Sequence, residues 1–251
     1  AWLWASNGRA ACTGSATTAN IRKRASMDKT AIRDAATIIV LRDTQTAPAV
    51  LMGQRGATAA FMPGKFVFPG GAVDPSDAQV PTTSVSGLDR TRLALESSLS
   101  PVALAAAAIR ELWEETGQIL GHTQLWNDPP QGWRGFAQAG YVPHAAALQF
   151  FFRAVTPAGN PRRFDARFFL ADAGDLRTDP DDFTKAEDEL SHLQWVPLAD
   201  ARRFDLPFIT QVVLAELGSH IKRGGPPASV PFFRNDDEAH LVTRLEGRSL
   251  L

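Results

Sequence analysis

The stretch "AAAAIRELWEETGQIL", Ala105 to Leu120, sets Glu111, Glu114 and Glu115 inside an alanine-rich, otherwise apolar segment. Carboxylates at i, i+3 and i+4 are neighbours on a helix surface, about 5–6 Å apart at Cβ, and like charges at that spacing repel. Two arrangements relieve the repulsion: the carboxylates face open water, or a cation sits among them. Hard divalent ions such as Mg²⁺ take carboxylate oxygens and complete their shell with water and substrate phosphates. Arg110 directly precedes the first glutamate and can pair with and orient a carboxylate.

The ends of this helix are marked. Ser100 is an N-cap residue and Pro101 occupies the first helical position. Gly117 comes just after the last periodic residue, where a left-handed conformation closes a helix. Ala105, Ala108, Ile109, Leu112 and Thr116 share one face, and the small alanines let it approach a sheet closely. The three glutamates fall on a different face.

Working outward, "AATIIVLRD" (35–43) and "APAVLMGQR" (47–55) read as strands joined in a hairpin, and "KFVFPGGAVD" (65–74) as a short strand running into a Pro-Gly-Gly turn. The polar, turn-rich stretch beyond it has a helix expected near Leu88 to Ser97. Further strands are expected in "AALQFFFRAVTP", "RRFDARFFLAD" and "LSHLQWVPLAD", and an amphipathic helix in "PFITQVVLAELGSHIKR", Pro207 to Arg223. Strands and helices mix without strict alternation, which predicts an α/β protein with a mixed central sheet between helices.

The chain of 251 residues, 44% hydrophobic and 21% charged, suffices for one domain with extensions. A net charge of −1 gives no electrostatic pull towards nucleic acid or an acidic membrane, and no apolar run is long enough to span a bilayer. One cysteine, Cys12, excludes an internal disulfide framework and a cysteine-rich metal site. A cytoplasmic location is the default expectation. Residues 1–27 carry Arg9, Arg22, Lys23 and Arg24 with no acid, and read as a disordered leader, with organelle targeting as the alternative. The domain is assigned to 28–223. The tail, 224–251, is rich in turn formers and is expected to pack loosely on it.

The unbroken string Arg110-Glu111-Leu112-Trp113-Glu114-Glu115-Thr116-Gly117, with "FPGG" upstream, resembles the Nudix hydrolase signature, G-x5-E-x7-R-E-U-x-E-E-x-G-U with U bulky and apolar. The pattern departs at two places. Gln118 stands where an apolar residue is usual. Counting from Gly71 brings Asp77 to the position of the first glutamate, and thirty-two residues, not seven, separate it from Arg110. This predicts an insertion, 78–102, interrupting the motif. Together with "VLMGQRGATAAFMPGKFVFPGG" and "TPAGNPRRFDARFFLA", the interruption resembles the peroxisomal-type coenzyme A diphosphatases and their bacterial relatives.

The resemblance implies a Nudix α/β/α sandwich and hydrolysis of a pyrophosphate linkage in a nucleoside diphosphate derivative, with Mg²⁺ or Mn²⁺ as cofactor. Coenzyme A or an acyl derivative is the expected substrate. The alternatives are an ADP-sugar, a dinucleotide or a nucleoside triphosphate, or a non-catalytic nucleotide-binding regulator. Glu114 and Glu115 would be the main metal ligands, Glu111 a ligand or base, the Gly70 carbonyl a further ligand, and Arg110 their orienter. Glu189, in "KAEDELSHLQW", is favoured as the catalytic base. Arg55, Lys65, Arg162 and Arg163 are candidate phosphate contacts, and Phe61 and Phe164 candidates for stacking on an adenine or lining an apolar channel. Trp113 is expected to pack beneath the insertion, and Asp165 to fix the adjacent arginines or a turn. Neither a nucleic-acid nor a membrane partner is implied. A homodimer is an assembly the family often adopts.

Overall fold

The computed structural model describes residues 31–59, 61–235 and 242–245, so the expected leader lies outside the described residues. In chain order the elements are β1 (Ile32–Arg42), β2 (Ala49–Arg55), β3 (Phe66–Val67), β4 (Gly70–Ala72), α1 (Gly87–Ala94), α2 (Pro101–Thr116), β5 (Gly121–Thr123), α3 (Arg134–Gln138), β6 (Tyr141–Pro143), β7 (Gln149–Val155), β8 (Arg163–Asp172), β9 (Leu190–Pro197), α4 (Phe208–Arg223), β10 (Val230–Phe233) and β11 (Val242–Leu245). Side chains of β1 alternate between two apolar clusters. Ala36, Ile38 and Val40 join the cluster beneath α2, and Ile39 and Leu41 join the one beneath α4. A sheet buried on both faces needs cover on each, and the two helices supply it. The expected α/β/α sandwich is therefore the observed fold.

The large sheet runs β11-β10-β7-β8-β1-β2-β3, with β8 parallel to β1 along its length and β7 antiparallel to β8. The expected hairpin is present, but β1 and β2 pair only at Leu41↔Val50 and Arg42↔Ala49. Beyond that point the strands part. β4 takes the freed edge of β1, with Ala36 opposite Gly71 and Thr37 opposite Gly70, while β3 takes that of β2 and β9 runs along the other edge of β2. The split holds the Gly-Gly turn against the sheet and in front of α2. A second irregularity lies between Phe150 and Phe152, where the β7–β8 register shifts. Phe150 enters the cluster under α2, whereas Phe151 and Phe152 both enter the cluster under α4.

Helix α2 begins and ends as the sequence predicts. The Ser100 hydroxyl accepts from the Ala103 amide at 3.1 Å, and Gly117 has φ 73°. The segment 78–102 is structured. It forms α1, its Leu93 is buried, and its carbonyls at Leu95 and Glu96 accept from Arg153 at 2.9 and 2.8 Å.

One expectation needs correction. Within the described residues the tail is not loosely packed: β10 lies parallel to β7, β11 pairs with β10, and Val230 and Phe232 are buried. Turn formers in "GGPPAS" mark only the connection, and the apolar "VPFF" supplies the strand. Trp113 packs edge-on against Phe136 at 5.9 Å and lies against the apolar cluster to which Val80, Val85 and Leu93 of segment 78–102 belong. Asp165 binds Arg167, two residues along β8, and Arg153 across the β7–β8 pair. Among the described residues no helix is long and apolar enough to cross a membrane.

Candidate active site

The last two turns of α2 point at the Gly-Gly turn of β4. Glu111 and Glu115 are 8% and 2% exposed and Glu114 is half-buried, so none of the three projects freely into water. Arg110 holds the cluster together with all five of its N–H groups. Nε and one Nη bind the two oxygens of Asp77 at 3.0 and 3.1 Å. The same Nη reaches the Ala72 carbonyl at 2.9 Å, and the other Nη reaches Glu111 Oε1 and Glu114 Oε2, both at 2.8 Å. Burial alone would lower the Arg110 pKa, but the Asp77 hydrogen bonds and the Glu111 charge override it and keep the guanidinium protonated.

Asp77 is fully buried. Besides Arg110 it accepts from the Trp133 indole at 3.1 Å and from the Asp74 amide at 2.8 Å. Asp74 caps the 3-10 turn Pro75–Gln79 with Pro75 at its start, so "DPSD" forms a capping box that aims Asp77 inward. The cap is written in the sequence, but a turn-rich composition hides it. Nothing local in "PPQGWRG" points to a distant carboxylate, so Trp133 escapes a reading of the sequence altogether.

The glycines explain how close the two elements come. A Cβ on Gly71 would lie 2.4 Å from Glu111 Oε2, and one on Gly70 would lie 2.6 Å from the Thr37 hydroxyl. The Gly70 amide donates to Glu115 Oε2 at 2.7 Å. Gly71→Ala should therefore displace the Glu111 carboxylate, the flexible partner, rather than the sheet. The expected outcome is an unfolding midpoint within about 4 °C of the parent, from a change near 1 kcal/mol, with activity reduced roughly 100-fold through misplacement. Thermal unfolding and steady-state rates measured together check this.

Charge is unbalanced here. Asp77, Glu111, Glu114 and Glu115 face one guanidinium, an excess of three negative charges when all are ionised. Burial, followed by mutual repulsion, pushes Glu115 well above the usual carboxylate range. Burial pushes Glu111 up to about 7, although Arg110 opposes the shift. Among the described residues no three His, Cys, Asp or Glu side chains converge at cation distance, because Arg110 draws Glu111 and Glu114 to itself. One oxygen is left over. Glu115 Oε1 is buried with no hydrogen-bond partner, an arrangement that costs about 1–3 kcal/mol or more. An all-oxygen donor set with surplus negative charge and one buried, unpartnered oxygen fits a hard divalent cation. A cavity of about 390 Å³ opens beside Arg110 and Glu114, walled by Asp74, Ser76, Gln131 and Gly132.

Of the more distant candidates, the structure brings Glu189 and Arg55 to the cluster. They pair at 3.0 Å, Arg55 lowers and Glu189 raises the pKa of Glu115, and Arg55 Nε has no partner. Lys65 is tied to Asp205 at 2.6 Å, Arg163 donates to the Thr156 carbonyl at 3.0 Å, and Arg162 is exposed. Phe61 and Phe164 meet edge-on at 5.2 Å.

The chain matches the NUDIX domain family over residues 102–217. It is 32% identical over 177 residues to putative nudix hydrolase 7 of Caenorhabditis elegans, a match covering 65% of this chain and 51% of the relative, so the chain spans about half the length of that curated protein. Among solved structures it is 30% identical to a NUDIX hydrolase from Alicyclobacillus acidocaldarius, with a TM-score of 0.58, and the superposition covers 76% of this chain and 93% of the other. With sequence identity, fold and the Arg110–Glu115 motif in agreement, the chain belongs to the Nudix hydrolase family.

Proposed function

We propose that this Nudix protein hydrolyses the pyrophosphate linkage of a nucleoside diphosphate derivative, with coenzyme A or an acyl-coenzyme A as substrate and 3′,5′-ADP and (acyl-)phosphopantetheine as products. The observation that carries the reading is the unpartnered, buried oxygen of Glu115 within a carboxylate cluster at the Gly-Gly turn. Mg²⁺ or Mn²⁺, held by Glu111, Glu114 and Glu115 with the Gly70 carbonyl, would supply Lewis-acid stabilisation of charge developing on phosphate oxygens.

The protein's own share is positioning. Phosphoryl transfer needs alignment and charge compensation more than covalent assistance. Arg110 fixes the orientation of Glu111 and Glu114. Arg55, paired with Glu189 beside the cluster, would be a donor for a substrate phosphate. A new bond forms between the water oxygen and one phosphorus, and the bridging P–O bond breaks. The departing phosphate carries off the electron pair, and the water proton passes to a carboxylate, which we assign to Glu189. The "FPGG" and "TPAGNPRRFDARFFLA" blocks and the insertion before α2 support coenzyme A within the family.

A substrate panel tests the proposal. Coenzyme A and acyl-coenzyme A should yield 3′,5′-ADP in the presence of Mg²⁺ or Mn²⁺ at least tenfold faster than ADP-ribose, diadenosine tetraphosphate or a nucleoside triphosphate yields its products, a margin of about 1.4 kcal/mol in transition-state binding. Turnover of one of the others, with none of any coenzyme A form, would discard the substrate assignment and keep the chemistry.

A further inference from the structure

Gln118 occupies the position where the Nudix signature carries a bulky apolar residue, and its side chain is completely buried. An amide in such a place needs partners, and it finds them in one segment. Its Nε2 donates to the carbonyls of Asp179 and Asp182 at 3.0 and 2.9 Å, and its Oε1 accepts from the Thr178 hydroxyl at 2.5 Å. Three hydrogen bonds from one side chain thus secure the start of the loop that leads to Glu187 and Glu189.

Neighbouring contacts dock the same loop on the same end of α2. The Glu187 amide donates to the Glu114 carbonyl at 2.9 Å, and the Arg177 amide to the Ile119 carbonyl at 2.8 Å. The backbone at Gly117 passes so close that a Cβ there would lie 2.9 Å from Lys185 Cβ. At its far end the loop presents Glu189 to Arg55 at 3.0 Å. An apolar residue at 118 offers neither the donors that the Asp179 and Asp182 carbonyls accept nor an acceptor for the Thr178 hydroxyl.

We propose that Gln118 is a positioning residue that fastens the 178–189 loop to the C-terminal end of α2 and thereby sets Glu189 beside the Glu111–Glu115 cluster. The role rests on the assignment of Glu189 above. The departure from the family pattern and the placement of the loop then have one explanation. A side chain usually devoted to core packing is given over to holding the segment that completes the site.

Gln118→Met keeps length and volume while removing all three hydrogen bonds, and Thr178→Val removes the partner at the other end. Native-state hydrogen exchange should show the amides of 180–189 exchanging about tenfold faster in Gln118→Met, and faster to a smaller degree in Thr178→Val, with β1 amides unchanged. With coenzyme A as probe, kcat should fall roughly 10–100-fold at nearly constant KM. In a Glu189→Gln background the further loss from Gln118→Met should be less than about twofold, because the two act through one carboxylate. Unchanged loop exchange in both variants overturns the inference. So does acceleration spread equally through β1, or the same fold-loss of kcat with and without Glu189. A native chain that cleaves no diphosphate at all overturns the reading of the site, and the positioning role with it. The exchange data then judge the attachment of the loop alone.

Discussion

Glu114→Gln is expected to leave the fold intact and to lower hydrolysis about 1000-fold. The side chain is half-buried at the edge of the cavity and accepts from Arg110 at 2.8 Å through Oε2. A glutamine oxygen can still accept that hydrogen bond, so Arg110 keeps its grip on Asp77 and Glu111. The substitution removes one negative charge and one anionic oxygen donor. On the proposed reading Glu114 would help hold the cation, and losing several kcal/mol of the transition-state stabilisation such an ion would provide converts to about three orders of magnitude at 1.36 kcal/mol per decade. The measurement is kcat/KM for coenzyme A in parent and variant, with near-ultraviolet circular dichroism as the check on folding. Equal rates would remove Glu114 from the mechanism. Inactivity of both forms, with nucleotide binding retained, would favour the regulator reading.

Arg110→Met is expected to be the most destabilising single substitution at the site. It strips Asp77 of two charge-assisted hydrogen bonds in a place where Asp77 has no contact with solvent. It also removes the only cation bound directly to Glu111 and Glu114 among the described residues. Breaking a buried pair by deleting one partner costs about 3–5 kcal/mol. For a domain of this size that corresponds to roughly 10 °C in unfolding midpoint. Methionine preserves most of the stem's packing, so the loss reports electrostatics and hydrogen bonding rather than a cavity. A shift below about 2 °C in a thermal melt would contradict the central place given to this arginine. Arg110→Lys should recover little, since one ammonium cannot serve acceptors that a planar fork reaches on several sides.

The sequence is most informative where local rules and tertiary demands coincide. Helix α2 can be read to its last residue, because Ser100, Pro101 and Gly117 each satisfy a backbone requirement at a helix end. The strands read from β-branched and aromatic runs are present because those runs are buried on two faces. The motif on α2 announces the carboxylate cluster for a physical reason: three like charges on an alanine-rich helix demand an explanation at any exposure. The features that stay hidden depend on chain segments far apart in sequence. Trp133 meets Asp77 across 56 positions, and the loop carbonyls and hydroxyl that Gln118 meets lie about 60 positions beyond it. The strands of the tail are obscured by the glycines and prolines before them, which describe the turn and not the strand on its far side.

The register shift in β7 bears on how segment 78–102 is held. An uninterrupted strand would place Phe150 and Phe152 in one layer and Phe151 and Arg153 in the other. The extra residue resets the phase, so Phe151 and Phe152 share a layer while Arg153 returns to the side of Phe150. From there the guanidinium reaches the carbonyls of Leu95 and Glu96 and clasps both oxygens of Asp165. This one tie of the segment is thus a matter of reading frame within one strand. A single phenylalanine more or less in "QFFFR" would turn the clasp towards the opposite layer and leave the turn after α1 to its other bonds, such as that of Ser97 with Arg167.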